Sequence, residues 1–252
     1  MTISYFQTKR NYKIAYKKSE GRHEQSALPT VVFLGGFKSD MTGTKAVYLE
    51  EECKKRGQGF VRFDYFGHGE SEGDFVDGTI GRWLEDAADI LDNIVQGKII
   101  LVGSSMGGWI SLLLLMRQTQ RIHAFVGIAA APDFTKEIEA ELSDAQKQEM
   151  METGLVKVPN DYSDDPYIFT RALIEDGRNR CVLDKTHQVD VPMVLLQGRC
   201  DTSVPWKKAL RIKEHVQSPE AEIIFIDDGD HRLSRPQDLT LLGEVVERLT
   251  YK

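Results

Sequence analysis

Lys98-Ile99-Ile100-Leu101-Val102-Gly103-Ser104-Ser105-Met106-Gly107-Gly108-Trp109-Ile110-Ser111-Leu112 runs from an apolar strand into an apolar helix through a serine set between glycines. The helical half, Trp109-Ile110 and Leu112 to Met116, is apolar on nearly every side, as an element buried between a sheet and outer helices must be. The joint reads G-x-S-x-G around Ser105. A sharp strand-to-helix turn of this kind presents a serine hydroxyl outside the regular backbone, with its apex residue in a strained conformation. Gly103 and Gly107 then serve a steric need, because only a missing side chain lets strand and helix close on each other there. The string alone also fits an ordinary Gly/Ser turn. Its strand and helix flanks favour a nucleophile elbow.

Working outward, a polar linker around Ser19 to Ser26 follows an amino-terminal hairpin expected over about residues 3 to 17. Val31-Val32-Phe33-Leu34 then forms a short apolar strand ending at Gly35-Gly36. A helix with the stripe Ala46, Leu49 and Cys53 ends at Gly57. Phe60-Val61-Arg62-Phe63 gives the next strand, and Thr79 caps a helix with Ile80, Leu84, Ala87, Leu91 and Ile94 on one face. Beyond the elbow come strands at Ala124 to Ile128, Met193 to Leu196 and Glu222 to Ile226, and a last helix with Leu239, Leu242, Val246 and Leu249. Continuous apolar strands alternating with amphipathic helices predict an α/β fold, a mostly parallel sheet covered on both faces. One domain spanning residues 1–252 is expected, since the length suits a single large core.

The alternation breaks from Pro132 to about Asp190, which is charged, helical in places (Lys136 to Met151) and without a convincing core strand. This segment, about residues 132–190, reads as a small helical cap inserted over the carboxyl edge of the sheet. Glu137, Glu139, Glu141, Lys147 and Glu149 also suit a long solvated loop with frayed helices. Tyr162, Tyr167, Phe169 and Met150-Met151 are candidates to line an acyl pocket, or to form a small core of the insertion's own.

With 32 basic and 39 acidic residues the net charge is −7 and no basic block stands out, so a nucleic-acid partner is not expected. Cys53, Cys181 and Cys200 are scattered and odd in number, which argues for a reducing compartment rather than a disulfide framework. No C-x-x-C or H-E-x-x-H is present, and neither a metal nor a cofactor is expected. No stretch approaches a membrane-spanning length, and no apolar leader is evident, so the expected location is cytoplasmic. The acid-free basic start, with Lys9, Arg10, Lys13, Lys17 and Lys18, also fits an organelle transit peptide, but Tyr12-Lys13-Ile14-Ala15-Tyr16 alternates as a strand.

A serine nucleophile needs a base for its proton, and the base needs an acid to fix its tautomer. The loop after Met193 to Gln197 reads Gly198-Arg199-Cys200-Asp201-Thr202-Ser203-Val204-Pro205, and the loop after Ile226 reads Asp227-Asp228-Gly229-Asp230-His231. Each supplies one candidate: Asp201 as acid and His231 as base. His23, His68, His123, His187 and His215 remain alternatives for the base, His68 foremost because of its glycine turn, and Asp133 is the rival acid. Asp228 and Asp230 read as turn formers beside His231. The oxyanion site takes the backbone amides of Met106, after the nucleophile, and of Phe37, in the loop that Gly35-Gly36 lets swing inward. Asp64-Tyr65-Phe66-Gly67-His68-Gly69-Glu70-Ser71 reads as a chiefly structural turn.

Gly35-Gly36, Asp64 with Gly67-His68-Gly69 and Ser71, Gly103 to Gly107, Gly198 with Asp201 and Val204-Pro205, and Asp230-His231 together resemble the α/β-hydrolase superfamily over nearly the whole chain. More narrowly, Gly43 to Ala46, Arg62 to Tyr65, Leu101 to Trp109, Cys181-Val182-Leu183, Val204-Pro205-Trp206 and Asp230-His231-Arg232 look like the mitochondrial palmitoyl-protein thioesterases that also hydrolyse acyl glucuronides, and their bacterial relatives. Gln197 departs from that pattern, where a histidine is common. The resemblance implies an α/β-hydrolase fold, a Ser105, Asp201, His231 triad, and small acyl esters or thioesters, or an acylated protein, as substrates. A serine esterase or thioesterase with an acyl-enzyme intermediate is the expectation. A peptidase or amidase on the same fold, or a non-catalytic ligand-binding homologue, stays open beside it.

Overall fold

The computed structural model describes residues 2–21, 28–117, 120–159 and 166–252. In chain order the strands are β1 (Ser4–Gln7), β2 (Lys13–Ser19), β3 (Thr30–Leu34), β4 (Phe60–Phe63), β5 (Ile99–Ser104), β6 (Ile122–Ile128), β7 (Leu155–Val158), β8 (Tyr167–Thr170), β9 (His187–Gln188), β10 (Met193–Gly198), β11 (Val216–Gln217) and β12 (Ala221–Ile226). The helices are α1 (Thr44–Arg56), α2 (Ile80–Asn93), α3 (Met106–Met116), α4 (Phe134–Glu141), α5 (Asp144–Thr153), α6 (Arg171–Arg178), α7 (Lys207–His215) and α8 (Pro236–Thr250).

Eight strands form the main sheet in the order β1-β2-β4-β3-β5-β6-β10-β12. The expected hairpin is there: β1 pairs antiparallel with β2, which pairs antiparallel with β4, and every later pairing is parallel. Side-chain alternation explains why the parallel strands are apolar throughout. Val32, Leu34, Ile99 and Leu101 point into one core, with Leu84, Trp83 and Trp109 of α2 and α3. Val31, Phe33, Ile100 and Val102 point into the other, with Leu49 and Cys53 of α1 and Leu242 and Val246 of α8. The predicted end signals hold: Gly57 closes α1 at φ 69°, and the Thr79 hydroxyl accepts the Arg82 amide at 3.2 Å.

Among the described residues between Pro132 and Asp190, none joins the main sheet. The helical stretch expected over Lys136 to Met151 is two helices, α4 and α5. They divide at Ser143, whose capping box with Gln146 starts α5. A two-stranded antiparallel pair, β7 with β8, was not expected. The solvated-loop alternative fails because Val156, Phe169, Leu173, Ile174 and Val182 are buried. Asp133 explains the attachment: its carboxylate accepts the amides of Val182 at 2.7 Å and Leu183 at 2.8 Å, while the Trp109 indole donates to the Arg180 carbonyl at 3.1 Å. The linker part at residues 22–27 lies outside the described residues.

Candidate active site

Ser105 stands between β5 and α3 with φ 53° and ψ −117°, a conformation that L-residues rarely adopt. It is partly exposed while its neighbours on both sides are buried. The glycines are a steric requirement, as predicted. A Cβ on Gly103 would meet the Gly107 carbonyl carbon at 2.6 Å, and one on Gly107 would meet the Gly35 carbonyl oxygen at 2.6 Å. Gly108 has the same role against the segment just after β6, where a Cβ would come 2.5 Å from that of Ala130. The strain is held by backbone: the Ser105 amide donates to Ile128 at 2.9 Å, and its carbonyl accepts from Ala131 at 3.1 Å.

Asp201 and His231 meet as their loops predict. His231 Nδ1 lies 2.9 Å from Asp201 Oδ2. The carboxylate is buried and fully engaged, for Oδ1 accepts the amides of Ser203 at 2.9 Å and Val204 at 2.7 Å, and Oδ2 also accepts Gln197 Nε2 at 3.0 Å. Gln197, where the family pattern suggests a histidine, thus supplies a neutral donor that also reaches the Val204 carbonyl at 3.1 Å. Such a carboxylate orients an imidazole through Nδ1 and leaves Nε2 to face the site.

The competing residues are elsewhere. Asp133 is occupied by the Val182 and Leu183 amides. Asp228 pairs with Arg235 at 2.7 Å, and Asp230 accepts the Leu233 amide at 2.9 Å, both as turn-forming groups. His123 bonds the Leu249 carbonyl and His215 that of Arg211, and neither they nor His187 line the cavity at Ser105. His23 lies outside the described residues, as does Tyr162.

Ser105 and His231 line one cavity of about 390 Å³ with Phe37, Phe134, Ile138, Tyr167 and Phe169. Of the acyl-pocket candidates, Tyr167 and Phe169 are placed there, Met150 is buried in the core and Met151 is exposed. Phe37 is the centre of this aromatic wall: its ring stacks on Phe169 at 5.3 Å and meets Phe75, Phe134 and Tyr167 edge-on. The described lining also includes Lys38, Lys45 and Arg232 and no carboxylate. Lys45 Nζ donates to the Arg232 carbonyl at 2.5 Å, tying α1 to the His231 loop, and burial pushes its ammonium down to about 8. Sequence reasoning missed this lysine; its place in the Gly43 to Ala46 match was the available signal.

Met106 opens α3, so its amide has no acceptor within the helix and points toward the Ser105 side of the turn. Phe37 lies in the loop after β3, as expected, but the conformational demand falls elsewhere. Neither Gly35 nor Gly36 has positive φ, whereas Lys38 does, at 57°. A Cβ on Gly36 would be in ordinary contact with that of Ser105, at 3.5 Å, so space does not demand a glycine there either.

A family model described as the alpha/beta hydrolase fold matches residues 29–175. The mouse palmitoyl-protein thioesterase ABHD10, mitochondrial, is 34% identical over 253 residues, which cover 100% of this chain and 83% of the mouse protein. The solved structure of mouse alpha/beta hydrolase domain-containing protein 10 superposes with a TM-score of 0.89 at 32% identity, covering 99% of this chain and 98% of that one. A chain from Agrobacterium vitis S4 reaches a TM-score of 0.92 at 40% identity, covering 99% of this chain and 100% of its own. The mitochondrial name of the mouse relative overturns the expected cytoplasmic location. Cysteine number and spacing bear only on redox state, and they do not distinguish one reducing compartment from another. Among the described residues no helix is long and apolar enough to cross a membrane.

Proposed function

Because the chain belongs to the α/β-hydrolase family and is a hydrolase, we propose that it cleaves carboxylic esters or acyl thioesters through a Ser105, His231, Asp201 triad and an acyl-enzyme intermediate. The observation that carries this reading is the convergence on one cavity of a strained, partly exposed serine and a histidine bonded to a buried carboxylate. His231 Nε2 takes the Ser105 proton as Oγ attacks the acyl carbon. The Phe37 and Met106 amides hold the oxyanion, and His231 returns the proton to the leaving thiol or alcohol. Water, deprotonated by the same imidazole, then releases the acid and restores Ser105.

Residues 132–190 act in this reading as a cap on a single hydrolase domain. Tyr167 and Phe169 from that cap, with Phe37, give the cavity an aromatic wall suited to an acyl chain. Lys38, Lys45 and Arg232 suit a leaving group that bears negative charge. The name of the mouse relative supports acyl thioesters, small or protein-borne, among the substrates. A fluorophosphonate probe is expected to label the wild type and not Ser105→Ala, and p-nitrophenyl esters and acyl thioesters of graded length to be hydrolysed only by the former. A folded wild type that stays unlabelled sinks the proposal, and turnover of amides in preference to both ester classes moves it to a peptidase.

A further inference from the structure

The turn that begins at Asp64 holds a histidine that touches neither Ser105 nor its cavity, yet bonds the loop beside it. His68 is 4% exposed, enclosed by the rings of Tyr65, Phe75 and Trp83 at centroid distances of 5.1 to 5.6 Å. Its Nδ1 lies 3.1 Å from the Phe66 carbonyl, which also accepts the Trp83 indole at 3.0 Å. A carbonyl can only accept, so Nδ1 carries the proton, and Nε2 of a neutral ring is left as an acceptor. The Lys38 amide donates to that Nε2 at 3.3 Å. Burial keeps the imidazole neutral, pushing it down to about 4.

Lys38 is the residue after Phe37 and has the left-handed φ of 57°. A side chain bearing a Cβ holds such a conformation only where surroundings compensate for it. Further along, the same loop is fixed independently: the Met41 amide donates to Asp64 Oδ1 at 2.6 Å, and its carbonyl accepts Arg62 at 2.6 Å. On the other side the Phe37 ring is packed against Phe75 and Phe169. His68 Nε2 therefore bonds the first peptide group between the packed ring and the anchored segment, inside a turn that the Ser39 amide closes on the Gly36 carbonyl at 3.2 Å. We infer that His68 is a positioning residue for the oxyanion site, its Nε2 holding the Lys38 peptide so that the Phe37 amide faces the place where charge develops.

This rests on the function proposed above, and the test separates the two. Asn in place of His68 puts an amide donor near Nδ1 and has nothing to offer Lys38, while Gln puts an acceptor near Nε2. With a p-nitrophenyl ester, His68→Asn is expected to lose about 10²-fold in kcat with KM little changed, the cost of a displaced oxyanion donor. His68→Gln is expected to recover most of that loss. Affinity for a trifluoromethyl ketone, whose hemiketal oxygen occupies the oxyanion site, should fall in parallel with kcat. Equal losses in the two variants, or a loss confined to KM, overturn the assignment while Ser105-dependent turnover persists. Wild-type rates no higher than those of Ser105→Ala overturn the function itself. A measurement without any variant also decides: ¹⁵N shifts of the His68 ring at neutral pH should report Nδ1 protonated and Nε2 bare, and a proton on Nε2 refutes the inference.

Discussion

Adding one methyl group at Gly107 should disable the enzyme while the fold survives. The Cβ would stand 2.6 Å from the Gly35 carbonyl oxygen and nearer still to that of Leu34. Real Cβ contacts begin at about 3.0 Å, so relieving the Gly35 contact alone takes about 0.4 Å and the Leu34 contact takes more. Both obstacles are backbone at the end of β3, where Leu34 pairs with Gly103 of β5 and Gly35 follows it, and have no rotamer to escape into. The first turn of α3 must move instead, carrying Ser105 Oγ and the Met106 amide away from His231. Overpacking of this kind costs about 1–3 kcal/mol of stability, and misplacing a reacting group by about 1 Å costs about 10²-fold in rate. Gly107→Ala should therefore lower kcat/KM for a p-nitrophenyl ester about 10²-fold, with a modest fall in melting temperature. Gly35→Ala is the contrast: its Cβ would have Ser39 Cβ at 4.0 Å as nearest neighbour, and stability and rate should stay within about 0.5 kcal/mol, a factor of roughly two. Gly107→Ala with wild-type kcat/KM, or losses equal at the two glycines, would refute the steric account of the elbow.

Removing the two candidate acids should have different effects. Asp201→Ala leaves His231 without its orienting partner, and kcat should fall roughly 10⁴-fold with little change in melting. Asp133→Asn weakens the charge-assisted bonds to the Val182 and Leu183 amides, lowering stability by about 1–3 kcal/mol while hydrolysis of short esters persists; a rate loss at Asp133 matching that at Asp201 would show the acid misassigned. The buried imidazole of His68 also predicts a pH dependence. Its native pKa of about 4 lies below the ordinary 6.5, so between those values the unfolded chain binds a proton that the native state refuses. Stability is then whole above pH 6.5 and falls as pH drops through the window, by about 3 kcal/mol at its lower end. Urea titrations at both ends of the window should find that loss in the wild type and not in His68→Gln, and parallel curves for the two proteins would contradict it.

Much of the architecture is legible in short stretches because local rules govern them. The strand ends at Leu34 and Phe63, the Thr79 cap and the Gly57 stop depend on residues within a few positions of each other. The β7 and β8 pair is hard to read because each strand has four residues and charged or polar neighbours, and the eight residues from Pro159 to Pro166 that join them are too many for the short turn that marks a hairpin. The loop beside Phe37 is hard to read for a related reason. Gly35 and Gly36 are the visible signal, while the strained residue is Lys38, where a distant histidine and packed rings outweigh the intrinsic preference of its backbone.

Taken by itself, the order of residues determined that Ser105 sits in a strand-to-helix joint and that Asp201 and His231 end later strands, because apolar period and turn chemistry are properties of neighbours along the chain. Which groups share the cavity is set by folding alone. Lys45, Gln197, His68, Tyr167 and Phe169 reach the site, or the loops that build it, from elements far apart in the chain. Their roles depend on contacts that exist only after the sheet has brought the carboxyl ends of β3, β5, β10 and β12 to one edge.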